Sequence, residues 1–173
     1  MRKIIFLCLI LGALGLGIIN SRFPYNHIRQ VPKMVETKPT EIKIIEVANE
    51  TDQQIYMEAE IACAKYKLGE NCINDLRAIA ANETAGTFDC EQVGDGGSAH
   101  GCFQINFHWP RTITPEQAVE IKTSVNWTLD RLIATGYKTN RDRAIMKHNG
   151  TPNTKKTLTY LNNVNRYKAG MTN

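Results

Sequence analysis

No two cysteines in this chain are spaced as Cys-x-x-Cys, no segment repeats, no long low-complexity tract occurs, and neither charge sign dominates. Each absence excludes a class. Without Cys-x-x-Cys, and with four scattered histidines, a structural zinc site lacks its usual ligand spacing. Without repeats or biased tracts, a solenoid or a disordered interaction chain is excluded, and the composition is that of a globular protein. The formal net charge is only +4. Arg2 and Lys3 supply two of those charges, and residues 1–21 hold no acid, so the rest of the chain is left at +2. So small an excess gives no electrostatic footprint for nucleic acid. The 173 residues suit one ordinary domain with an appendage.

The appendage is the N-terminus. Arg2 and Lys3 precede an unbroken apolar run from Ile4 to Ile19. As a helix at about 1.5 Å per residue the run spans roughly 24 Å, slightly short of a hydrocarbon core of about 30 Å. Residues 1–19 therefore read as a signal peptide or a membrane anchor. The small residues that a cleavage site wants, Ala13-Leu14-Gly15 and Gly15-Leu16-Gly17, fall inside the run, which favours an uncleaved anchor. Cys8 has no lipobox around it. Pro24, Pro32 and Pro39 then interrupt residues 20–50, which read as an extended linker, either a spacer or a leader. Export places the remaining cysteines in an oxidising compartment, the periplasm or cell envelope, where disulfides persist. Cys63, Cys72, Cys90 and Cys102 allow three pairings. Proximity favours Cys63–Cys72 and Cys90–Cys102, each closing a short loop and contributing about 2.5–3 kcal/mol.

The folded domain is expected over residues 51–173. Thr51 or Asp52 can cap a helix to about Lys67, with Ile55, Ala59, Ala62 and Tyr66 on one face and Gly69 at its end. A second helix is expected over 74–84, where Leu76, Ile79, Ala80 and Glu83 recur at helical spacing. A third begins at Thr114-Pro115, buries Val119, Ile121, Val125, Leu129, Leu132 and Ile133, and stops at Gly136. A short fourth covers 140–148. A fifth covers 154–168 and is expected to bury Leu158, Leu161 and Val164. Only residues 85–110 lack helical rhythm. The expectation is a mainly α domain with one small hairpin or irregular insertion.

Glu83 stands out because a carboxylate on an apolar helix face is partly desolvated. Desolvation disfavours the charged form and raises the pKa, which suits a group that must hold and then donate a proton. The plainer alternative is a helix-end glutamate facing solvent or pairing with a lysine. The surroundings bear on the choice. "AIAANETAG", "GDGGSAHGCFQIN", "AIMKHNG" and "TYLNNVNRY" follow in that order over about residues 52–168. Together they resemble the lysozyme-like superfamily, especially family-23-type lytic transglycosylases and, in part, animal lysozymes. In that superfamily a helix ends in a catalytic Glu followed by Ser, and a loop leads to Gly-Leu-Met-Gln-Ile. Here Thr84 replaces the serine, and Gly101-Cys102-Phe103-Gln104-Ile105 stands for the second motif.

The resemblance implies a lysozyme-like (α+β) helical domain with Glu83 as the general acid. It implies Gln104 beside Glu83 in the cleft, and Asn106, Asn149, Tyr160 and Tyr167 as substrate-binding residues. His148 departs from the tyrosine usual at its position. The substrate implied is the glycan strand of peptidoglycan, cut between N-acetylmuramic acid and N-acetylglucosamine, with no cofactor or metal. A partner in a secretion system or phage assembly would fit, as would the membrane if the N-terminal helix is retained. Two-carboxylate glycosidases need a second acid within about 5–9.5 Å of the first. Animal lysozymes place an aspartate two residues before the glycine of the Gln-Ile-Asn motif, where this chain has Ala99. Asp95 and Asp89 remain as candidates. Lytic transglycosylases work with a single Glu, so the missing aspartate favours a lyase that forms 1,6-anhydro-muramic ends. A hydrolytic lysozyme using Asp95 or Asp89, and a non-catalytic glycan- or partner-binding domain, are the alternatives.

Overall fold

The computed structural model describes the backbone of residues 40–108 and 111–171, with side chains from Glu50 onward. The apolar segment at 1–19 and the linker up to residue 39 lie outside the described residues. Six α-helices and a small three-stranded sheet make up the described chain: α1 Thr40–Lys65, α2 Glu70–Glu83, β1 Val93–Gly94, β2 Ala99–His100, β3 Ile105–Asn106, α3 Pro115–Val119, α4 Ile121–Ala134, α5 Arg141–Asn149 and α6 Lys155–Met171. Among the described residues no helix is long and apolar enough to cross a membrane.

α2 is the central element, packed against α1 on one side and α6 on the other. Its large apolar residues Leu76 and Ile79 are fully buried. Ala80 shares their face, while Ala78 and Ala81 occupy other faces and are buried too, because short side chains let neighbours approach from every direction. α1 turns its Ile55, Ala59, Ala62 and Cys63 into the same core, and α4 adds Val125, Leu129 and Leu132. The Cys63–Cys72 disulfide ties the last turn of α1 to the first turn of α2, and Cys90–Cys102 closes the loop that carries β1 and β2. Both pairings are the ones expected.

Four expectations need correction. α1 begins at Thr40, not near Thr51, because residues 40–50 hold neither proline nor glycine and nothing in them stops the helix before Pro39. α2 begins at Glu70, not at residue 74, with Gly69 as its N-terminal flank, so Asn74 lies inside the helix and is buried. The expected third helix is two, since Glu120 takes extended φ/ψ of −72° and 116° between α3 and α4. Leu158 is 44% exposed, because the buried stripe of α6 runs through Thr157, Tyr160, Leu161 and Val164. The start of α3 is as expected: Thr114 and Gln117 form a reciprocal capping box ahead of Pro115.

The sheet is antiparallel in the order β1-β2-β3, with Gly94 opposite Ala99 and Ala99 opposite Asn106. A short 3₁₀ turn at Asp95–Gly97 joins β1 to β2. Gly101 follows β2 at φ +79°, and a Cβ there would stand 2.0 Å from the Ala118 carbonyl oxygen of α3. Only glycine permits that approach, which presses the hairpin onto α3.

Candidate active site

The C-terminal end of α2, the sheet, the loop after β3, α4, the end of α5 and the start of α6 enclose a cleft of about 420 Å³. Glu83, the last residue of α2, lies within it. The helix ends there because Thr84 leaves helical geometry. Its buried hydroxyl donates to the Ala80 carbonyl at 2.8 Å and accepts from the Phe88 amide at 3.0 Å. Thr84 thus fixes both the helix end and the first turn of the loop beyond it.

Glu83 is 16% exposed at its side chain. Burial pushes its carboxyl up from 4.5 to about 7, against the opposing effects of a hydrogen bond from Tyr160 and the charge of Lys156. Tyr160 Oη donates to Glu83 Oε1 at 2.6 Å. His148 Nε2 stands 4.0 Å from the same oxygen. Burial and the nearby charge of Arg131 hold the His148 imidazole down at about 4, against a weaker opposing hydrogen bond with the Phe103 backbone. Between pH 5 and 7 the two groups therefore face each other as a neutral acid and a neutral imidazole, not as an ion pair.

Gln104 is fixed by its own amide, which donates to the carbonyls of Gln92 at 3.1 Å and Gly101 at 2.9 Å. It packs so closely on Gly94 that a Cβ there would meet its Oε1 at 2.2 Å. Its carboxamide spans the sheet and lines the cleft together with Asn106 and Asn149. Asp95 also lines the cleft, but it is 61% exposed and engaged: Asn106 Nδ2 donates to its Oδ2 at 2.6 Å, Ser98 Oγ donates at 3.3 Å, and His108 lies 3.8 Å away. Ala99, where animal lysozymes carry their aspartate, contributes a methyl group to the wall.

The structure thus brings Glu83, Gln104, Asn106, Asn149 and Asp95 together in one cleft. Tyr160, expected to bind substrate, does not line the cleft: it is buried and reaches the site only as the hydrogen-bond donor to Glu83. Two more expected residues stand apart from the cleft. Tyr167 packs against Gly86 and faces a separate depression with Asp52 and Phe88, because it lies two helical turns beyond Tyr160 on α6. Asp89 is exposed beside Cys90, where its Oδ1 accepts from the Glu91 amide at 3.0 Å and shapes the turn. Sequence reasoning missed four further lining residues, Arg111, Trp127, Arg131 and Lys156. The one signal for them was the i, i+4 spacing of Trp127 and Arg131, off the apolar stripe of α4. Among the described residues no three His, Cys, Asp or Glu side chains gather as metal ligands would. The cleft sets polar and cationic side chains around one carboxyl that burial pushes up to about 7. No family model, curated protein or solved structure matches the chain.

Proposed function

We propose that this protein is an exported, lysozyme-like enzyme that cleaves the β-1,4 bond between N-acetylmuramic acid and N-acetylglucosamine in peptidoglycan, as a lytic transglycosylase. The observation that carries the reading is Glu83: a carboxyl that burial pushes up to about 7, set in a polar cleft. Binding alone has no use for such a group, which weighs against a non-catalytic role. In the proposed reaction Glu83 gives its proton to the glycosidic oxygen as the bond to the muramic anomeric carbon breaks. The resulting carboxylate, stabilised by the Tyr160 hydroxyl, then takes the proton of the muramic 6-hydroxyl as that oxygen closes the 1,6-anhydro ring. The nucleophile is part of the substrate, and oriented intramolecular attack reaches effective molarities of about 10⁵ M or more.

Two observations favour the lyase over a hydrolase. Ala99 offers no carboxylate, and Asp95 is occupied in holding Asn106 and Ser98 across the hairpin. The hydrolase remains the second reading because Asp95 lines the same cleft as Glu83. Mass spectrometry of muropeptides released from purified sacculi separates them. Products ending in 1,6-anhydro-muramic acid, lighter by one water than reducing ends, are expected. Glu83→Gln should release none, while Asp95→Asn and Asp89→Asn should each retain substantial activity. Reducing-end products, or an Asp95 as indispensable as Glu83, would transfer the assignment to a hydrolytic lysozyme.

A further inference from the structure

The wall of the cleft that the acid does not use has its own chemistry. Trp127 is pinned at its ring edge, where Nε1 donates to Thr112 Oγ1 at 3.2 Å. Two guanidinium groups lie over the ring, Arg111 Cζ at 5.9 Å and Arg131 Cζ at 5.6 Å from its centroid. The two cations are close enough to act on each other: burial and the charge of Arg131 both hold the Arg111 guanidinium below its ordinary value. The charge of Arg131 also reaches His148, which borders Glu83. Among the described residues Arg131 makes no ion pair. The acid beside it, Asp130, instead accepts from the Tyr66 hydroxyl at 2.5 Å. Lys156 adds a third cation to the cleft lining, against Asp95 as the other acid there besides Glu83. Two shallower depressions adjoin the cleft and share Trp127 with it, and one of them also shares both arginines.

Bringing like charges together over one ring costs energy unless something anionic settles between them. A guanidinium pair is suited to a carboxylate, which it can grip through paired N–H donors, while an aromatic face suits the apolar face of a sugar. We infer that Arg111, Trp127 and Arg131 form a carboxylate-reading subsite, so that the cleft selects glycan strands bearing carboxylates over neutral strands of the same sugar backbone. The inference rests on the peptidoglycan reading of the cleft and deepens it. In such a substrate the carboxylate comes either from a stem peptide or from the lactyl group of a muramic residue stripped of its peptide.

The test measures binding, with the full chain carrying Glu83→Gln so that nothing is cut. Three tetrasaccharides are titrated by calorimetry and by tryptophan fluorescence: one with stem peptides, the same glycan after amidase treatment, and neutral chitotetraose. The expected result is that at least one carboxylate-bearing glycan binds about tenfold or more tightly than chitotetraose, the size of one charge-assisted hydrogen bond. Arg131→Gln should abolish that preference and flatten its salt dependence, and Arg111→Gln should do so in part. Arg131→Lys should keep the charge but recover only some of the preference. Whether the stemmed or the stripped glycan binds best identifies the source of the carboxylate. If all three glycans bind equally, or if Arg131→Gln weakens them all alike in a folded protein, the subsite inference falls while the glycan cleft stands. If none binds, both fall together.

Discussion

Glu83, the proposed acid, carries a stability cost with it. Its carboxyl titrates at about 7 in the folded chain and at about 4.5 when unfolded. The folded state therefore binds the extra proton between those values. The stability this gives is complete below about pH 4.5, declines through the interval, and is gone once pH has passed about 7. The difference is worth about 3 kcal/mol. Glu83→Gln, which needs no proton, should match the parent chain near pH 4 and exceed it by up to about 3 kcal/mol near pH 8. His148, held down at about 4, contributes the opposite slope, since stability is lost as pH falls from about 6.5 through 4. Subtracting parent from variant removes that contribution. Denaturant melts at the two pH values check it, and equal differences at both would show that Glu83 titrates like a solvated carboxyl. For the same reason kcat/KM of the parent should fall as pH rises through about 7.

At the scale of elements, the loop between β1 and β3 matters most. The Cys90–Cys102 bridge, the Gly101 contact with α3 and the Gln104 carboxamide hold it from three directions. Replacing Cys90 and Cys102 by alanine should cost about 3 kcal/mol and reduce sacculus digestion more than the same change at Cys63 and Cys72. Comparing digestion rates well below both melting temperatures checks it, and equal losses would assign the second bridge to stability alone. Much of this element structure was legible in sequence. The faces of α1, α2 and α4, the capping box at Thr114 and both disulfides follow from spacing, as does the placement of Glu83 on an inward face. The break at Glu120 and the exposure of Leu158 do not, because each is set by tertiary packing: α3 is held against the hairpin, and the rotation of α6 follows Tyr160 and Thr157. The Arg111–Trp127–Arg131 wall was barely legible for another reason. Its members come from a loop and a polar helix face, and beyond the i, i+4 spacing of Trp127 and Arg131 they have meaning only once the fold brings them into one cleft with Glu83.

For the described domain as a unit, one buried group joins distant parts. Asp75 of α2 is fully buried and receives hydrogen bonds from Tyr137 after α4 at 2.5 Å, from Arg141 of α5 at 2.6 and 2.7 Å, and from Lys168 of α6 at 2.8 Å. Burial pushes its carboxyl up, but these donors overcome that and hold it below the usual range. Asp75→Asn leaves Arg141 and Lys168 facing a neutral amide, and it should destabilise by about 3–5 kcal/mol. Chemical denaturation at neutral pH checks it. A loss under 1 kcal/mol would mean that water replaces the carboxylate readily.

The same arrangement bears on timing. The helix that supplies Tyr160 to the acid and Lys168 to Asp75 is synthesised some eighty residues after Glu83 itself. Until α6 has left the ribosome and docked, Glu83 lacks its hydroxyl partner, and α2 lacks one of the helices that bury it. On the proposed reading, an unfinished polypeptide cannot cut the wall. Nor does one still crossing the membrane have the oxidised cysteines that brace the loop. Lytic competence would thus arrive last, after the chain is in the compartment where the proposed substrate lies.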